Sequence, residues 1–302
     1  MGSVGPGTSR GLLFALLGFA VLASGDVVVK TLAGEWPASA IAALRWVLGG
    51  AALLAIVGAA EGRAAVAMPR PWLQAGRGAA VALASFTFFL GVHLMPLADA
   101  MAIVFTSPML TAIVSALFLG ERISRAAAIS IALAFGGTLI VLRPNLLALG
   151  PAALLPLAAA FGMALLFLLN RRAAGLGSPL AMQLYVAMWA APVLVALAAV
   201  LHATGLLTVP MPDAGIVARV GLVALAATTG HFFIYRATEL ASAATIAPMI
   251  YVEILVAVAG GWLVFGEVPG ATTIGGAALI IAGGLWLWRS QRQATEPDVV
   301  AS

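Results

Sequence analysis

The stretch AATIAPMIYVEILVAVAGGWLVFGE, residues 243–267, decides how the chain is read. From 243 to 265 it carries one charge, Glu253, in a run long enough to cross the hydrocarbon of a bilayer. At about 1.5 Å per residue, Glu253 lies about 15 Å from the start, at the bilayer midplane. A carboxylate at that depth is costly and has to face protein, water or a cationic partner. It reads as a ligand for a substrate ammonium or as a proton-titrating group. A hydrogen-bonded carboxyl that only packs helices together is the plainer alternative.

Moving back 146 residues lands on LADAMAIVFTSPMLTAIVSALFLGE, residues 97–121, which ends on the same Gly-Glu pair and places Ser107-Pro108 opposite Glu253-Ile254. The same offset lays Phe86–Arg143 over Phe232–Arg289 without a gap, with 11 identities in 58 positions. The informative matches are Gly120-Glu121 over Gly266-Glu267, Gly137 over Gly283 and Arg143 over Arg289. The small-residue pair Ala132/Gly136 falls on Ala278/Ala282, as close helix approach in lipid requires. The chain therefore reads as two repeats, 1–145 and 146–290, followed by a tail at 291–302.

Further apolar windows fall near 11–33, 38–60, 72–93, 97–119, 126–142, 150–170, 179–201, 214–235 and 270–288. With 243–265 they make ten. Ten spans of about 21 residues use about 210 residues and leave only short loops and tails. Composition agrees: of 302 residues 63% are hydrophobic and only 26 are charged, and mean hydropathy is +1.11. A chain with so little charge cannot cover a soluble surface of this size. The fold class is all-α, a polytopic membrane protein. A signal-peptide reading of Arg10 and the run 11–23 is weaker, because the run continues as a span through Asp26 and Lys30.

The 15 basic residues stand singly or in pairs at the ends of apolar runs, so the pI near 10.3 reports membrane orientation and not a nucleic-acid partner. With a cytoplasmic N-terminus, the inner side holds Arg10, Arg63, Arg70, Arg77, Arg122, Arg125, Arg171, Arg172, Arg236, Arg289 and Arg292. The outer side holds only Lys30, Arg143 and Arg219, and Arg45 stays inside a helix. That asymmetry sets both termini in the cytoplasm. Because each repeat has five spans, an odd number, the second repeat enters the membrane from the opposite side. Inverted repeats are the plan of many secondary transporters, with a site near the midplane.

Cysteine is absent, which removes disulfides, thiolate metal sites and thiol catalysis. No Walker loop, dinucleotide glycine pattern or HExxH occurs, so neither an enzyme nor an ATP-driven pump is expected, and no cofactor. Transport would run on gradients.

These residues are familiar as a set. Ten helices in five plus five, with Gly120-Glu121-Arg122 closing the fourth and Gly266-Glu267-Val268-Pro269 closing the ninth, resemble the EamA-type carriers of the drug/metabolite transporter superfamily. Ala247-Pro248-Met249-Ile250-Tyr251-Val252-Glu253, Gly261-Trp262-Leu263 and Phe265-Gly266-Glu267 look like that family's ninth helix. The resemblance runs from Gly11 to Arg289 and is weakest in the sixth and seventh helices. It implies export of small metabolites by alternating access across a bacterial inner membrane, with YddG-type aromatic amino-acid exporters as the nearest branch.

A zwitterionic substrate needs one cationic and one anionic contact. Arg45 or His93 with Glu253 offers that pair, and His93 also titrates near neutrality. Asp26 and Lys30 share a face of the first helix four residues apart, and Asp26 is in reach of Arg45. They read either as substrate ligands or as a structural pair with Lys30 snorkelling to headgroups. Ser107 completes the polar set at midplane depth. Trp46, Phe89, Tyr185, Trp189 and Tyr251 are candidate aromatic walls, although most membrane aromatics pack or sit in interface belts. Pro108 and Pro248 are candidate hinges, each freeing a carbonyl next to Ser107 or Glu253. His202 and His231 read as loop and structural residues. Glu121 and Glu267 read as helix-end or gating groups at the water interface.

The expected partners are thus an amino-acid substrate and the lipid bilayer, with no nucleic acid or metal, and one chain as a sufficient working unit. The rivals are a sugar or sugar-phosphate carrier, which should show clustered Lys or Arg, and a non-transporting membrane subunit, which should not need Glu253.

Overall fold

A computed structural model describes residues 6–119, 125–241 and 246–295, and among them there is no strand. The helices are α1 (Pro6–Thr31), α2 (Ala38–Ala60), α3 (Pro71–Leu94), α4 (Leu97–Val104), α5 (Ser107–Leu119) and α6 (Arg125–Leu149). They are followed by α7 (Leu155–Arg172), α8 (Pro179–Ala203), α9 (Ala214–Leu240), α10 (Val252–Phe265) and α11 (Ala271–Thr295). Nine stretches of the described residues are long and apolar enough to span, and one of them, 125–172, runs 48 residues and holds both α6 and α7. Ten crossings result, in a polytopic all-helical membrane protein.

Helix pairing follows the offset of the repeats. α1 packs on α9 as α7 packs on α3, α1 meets α10 as α7 meets α5, and α6 packs on α11. The α6–α11 seam shows the symmetry at atomic scale. A Cβ on Gly137 would come within 2.5 Å of the Gly276 carbonyl, and one on Gly283 within 3.0 Å of the Ser130 carbonyl. Shifted by 146 residues, the first pair becomes the second. Ser130 Oγ donates to the Gly283 carbonyl at 2.8 Å. The close face is therefore Ser130/Gly137 and not Ala132/Gly136, since Gly136 faces open space one position round the helix.

Four expected spans differ in the structure. The fourth window is broken at Phe105–Thr106, and the ninth starts as a 3-10 turn, Ala247–Tyr251, before α10. Hydropathy runs unbroken through both breaks, so composition alone could not show them. The fifth span continues to Leu149 through Pro144, where Asn145 Nδ2 donates to the Val141 carbonyl at 3.0 Å and satisfies backbone beside the proline. The last helix extends to Thr295, into the expected tail.

Burial is uneven along the bundle. At the end carrying Trp36, every residue from Ala38 to Ala43 is buried, as are Val29, Leu32, Met95, Leu97 and Ile216. Toward the end carrying Arg236, α2 buries only Leu53 and Val57 after Ala43, and α9 only Gly230 and Ala237 after Ala224. The Trp36 end is sealed, and toward the Arg236 end α2 and α9 bury little while α3 and α8 stay packed on each other at Gly78 and Trp189.

Candidate functional site

The two helix breaks meet at the centre. Phe105 and Tyr251 occupy equivalent positions in the repeats, and their rings touch, with centroids 5.8 Å apart. Pro108 lies in the first turn of α5 and Pro248 in the first turn of the 3-10 segment, where a missing N–H costs nothing. The candidate hinges are thus start points of new segments, not kinks in continuous helices. Glu253 follows the second break in the first turn of α10, where the helix dipole favours negative charge. Ser107, its counterpart, opens α5 and is buried.

Glu253 opens a chain of charged neighbours that runs through Asp26 of α1 and Arg45 of α2 to His231 of α9. Asp26 is in electrostatic reach of both Arg45 and Glu253, and His231 of Arg45. Arg45 lies over the rings of Trp46 and Phe89, 4.8 Å and 5.8 Å from their centroids. Trp46 Nε1 donates to Ser85 Oγ at 2.9 Å, which fixes the ring. Aromatic faces therefore hold the guanidinium in place while its five N–H donors stay free for a planar anion.

Among the described residues, none of Asp26, Arg45 and Glu253 has a hydrogen-bonding partner or an ion pair at contact distance, although each is partly accessible. Charged groups at membrane depth are normally paired. Here three of them converge without being satisfied by the protein. His231 was not expected in this company. Its side chain is exposed, and Nδ1 donates to the Ala227 carbonyl at 2.6 Å, leaving Nε2 open. Gly230 beside it packs on Gly18 and Leu22 of α1, which brings this part of α9 against α1, but nothing in the sequence marks which way His231 faces.

Other expected site residues lie elsewhere. Lys30 is at the sealed end, paired with Glu267 at 2.5 Å. His93 Nε2 donates to the Val29 carbonyl at 3.3 Å near the same end. Tyr185 is 2% exposed, and its hydroxyl donates to the carbonyls of Ala65 and Ala67, 2.7 and 3.2 Å away, tying α8 to the α2–α3 connection. Trp189 donates to Met68 Sδ at 3.1 Å and packs on Gly78. Tyr185 and Trp189 are not brought to the central cluster, because the face of α8 that bears them packs on α2 and α3. Phe89 is buried and serves Arg45 rather than an open wall. Glu121 lies outside the described residues.

The EamA-like transporter family matches the chain twice, over residues 9–143 and 150–289. A riboflavin transporter of Rhizobium johnstonii is 30% identical over 230 residues, 76% of this chain and 74% of its own length. An S-adenosylmethionine uptake transporter of Rickettsia conorii is 24% identical over 284 residues, 94% of each chain. A pseudopaline exporter of Pseudomonas aeruginosa is 28% identical over 286 residues, 93% of this chain and 97% of its own. One solved crystal structure superposes with a TM-score of 0.61 at 20% identity, covering 95% of this chain and 99% of the other, a likeness of fold. These relatives are named for three different substrates, none of them an aromatic amino acid, so the expected nearest branch is not singled out. With two matches spanning nearly the whole sequence, the chain belongs to the EamA-like transporter family and is a multi-pass membrane transporter.

Proposed function

We propose that the chain carries small metabolites bearing an amino-acid head group, by alternating access, with Arg45 taking the carboxylate and Glu253 the ammonium. The observation that carries this reading is the set of unsatisfied charges of both signs, Asp26, Arg45 and Glu253, gathered at the two helix breaks. A neutral substrate would leave all three unpaired, and an anionic one would meet two carboxylates. S-adenosylmethionine, named in one group of relatives, has such a head group, which supports the reading. Net direction follows the gradient, so export serves a metabolite made inside the cell. The excess of arginine at the Arg236 end supports an orientation with that end, and both termini, on the cytoplasmic side of a bacterial inner membrane and the Trp36 end facing out.

Counterflow in proteoliposomes tests this with labelled phenylalanine, methionine, S-adenosylmethionine, riboflavin and a sugar phosphate. Accumulation of compounds with the amino-acid head group, abolished by Arg45→Ala and by Glu253→Gln, is the expected result. Accumulation of riboflavin or sugar phosphate alone overturns the substrate reading. Exchange that persists in Glu253→Gln without any pH dependence of net flux overturns the ammonium role and makes Glu253 the proton-linked group instead.

A further inference from the structure

At the sealed end a buried ion pair joins three helix ends across the two repeats. Lys30, in the last turn of α1, is only 9% exposed; its Nζ lies 2.5 Å from Glu267 Oε1 and donates to the Met95 carbonyl at 2.8 Å. The ring of Phe265 stands 5.4 Å from the same ammonium. The other oxygen of Glu267 accepts the backbone N–H of Leu97 at 3.1 Å, the first residue of α4. That N–H has no partner within its own helix, so a carboxylate from the second repeat caps a helix of the first.

Local backbone aims the carboxylate. Gly266 adopts φ +69°, a left-handed conformation that ends α10 and turns the chain back, so that the Glu267 N–H bonds the Gly261 carbonyl at 2.9 Å. One side chain therefore ties the end of α10 to the end of α1 and the start of α4. Those three ends must part for the Trp36 end to open. Asp26, one turn before Lys30 on the same helix face, belongs to the central cluster, so movement of α1 at the cluster moves Lys30 as well.

We infer that the Lys30–Glu267 pair is the latch of the transport cycle at this end: it holds the pathway shut here and must break, together with the Leu97 cap, each time the carrier opens to the other side. Once broken, Lys30 retains Asp26 as a neighbour four residues away, with the acid N-terminal to the base, the favourable order on a helix.

The lack of cysteine makes the test direct. In Lys30→Cys/Glu267→Cys, bridging the two thiols with a short bifunctional methanethiosulfonate should stop counterflow, and reduction should restore it. Bridged protein that still transports overturns the latch. The second arm reads sidedness without depending on transport. A cysteine at Ala43, buried below the seal, is offered an impermeant maleimide from the Trp36 side. Glu267→Gln and Lys30→Met should each raise its labelling about five- to tenfold, the range of typical coupling between two states. The exchanged pair Lys30→Glu/Glu267→Lys should return labelling toward the parent level. Unchanged labelling in both single variants, in protein that remains monodisperse, also overturns the inference. Both arms stand whatever the substrate, because labelling requires none and counterflow uses whichever compound the parent accumulates.

Discussion

α3 packs closely against α8 along much of its length, whereas the equivalent pair in the other repeat arrangement, α9 against α2, touches more sparsely. The same offset relates the two pairs, so a symmetric molecule would show them alike. Sequence explains part of the gap. In the close pair, Gly78 admits the backbone of α8, and a Cβ there would stand 2.3 Å from Trp189 Cβ and 3.0 Å from Ala190 N. In the loose pair the equivalent positions are Ala224 and Ala43. The close pair lies beside Arg77, toward the Arg236 end, and the looser one beside Ala43, toward the Trp36 end, so different helices pack the two ends of the bundle.

The largest break in this comparison is expected from Gly78→Val. Its side chain meets backbone that cannot yield, so the α3–α8 contact should open and counterflow should fall more than tenfold, at an overpacking cost of about 1–3 kcal/mol. Ala224→Val, at the counterpart position, should cost less in both readouts. Comparable losses would show that the two pairs are equally tight in the working carrier.

Next comes the α6–α11 seam, where symmetry is closest. Gly137→Val and Gly283→Val occupy equivalent positions but face clearances of 2.5 and 3.0 Å. Thermal unfolding in detergent should show the first lowering stability by about 1–3 kcal/mol and the second by the lower figure or less. Equal losses would mean that the seam relaxes to full symmetry.

Asp99→Ala probes the sealed end alone. Asp99 is buried, accepts from Asn145 Nδ2 at 2.8 Å and Thr273 Oγ1 at 2.5 Å, and so ties α4 to α6 and to α11. Its loss should cost about 1–3 kcal/mol, visible in the same unfolding measurement, by orphaning two buried donors. The smallest effect belongs to Arg219→Ala. Arg219 donates to both Glu35 and the Thr31 carbonyl in an exposed setting, and its hydrogen bond holds the Glu35 carboxyl below the ordinary value of 4.5. A lowered carboxylate stabilises above the unfolded value and loses that stabilisation as pH falls through its folded one. Melting at pH 7 should fall only slightly, as for an exposed pair, and that difference should vanish in acid, so the fall in melting temperature below pH 4.5 becomes shallower than in the parent.

Much of this architecture was legible in the residues. Gly120-Glu121 over Gly266-Glu267 exposed the repeat, and an odd number of spans in each half exposed its inversion. The breaks at Phe105 and Tyr251 were not legible, because neither interrupts an apolar run. Pro108 and Pro248 signalled them but were equally consistent with kinks inside continuous helices. Depth along a helix located Glu253, Asp26 and Arg45. Rotation about the helix axis decided the rest, and depth says nothing of it. Tyr185 and Trp189 thus seemed candidates of the same standing as Trp46 until the packing of α8 turned them away. His231 was set aside because a single histidine next to a glycine carries no mark of which way it faces. Lys30 and Glu267 lie 237 positions apart, and only the fold could pair them.

Phe105 and Tyr251 are the residues that 146 positions exchange, and they touch each other. A contact between a position and its own image lies on the axis that interchanges the halves, so it has no inward version and no outward version. Every other contact has a twin elsewhere in the molecule, as α1 on α9 has in α7 on α3. This one is its own twin. The rings are consequently the stationary point of the cycle, and the difference between them, a single phenolic oxygen, is the smallest departure from equivalence at the centre of the carrier.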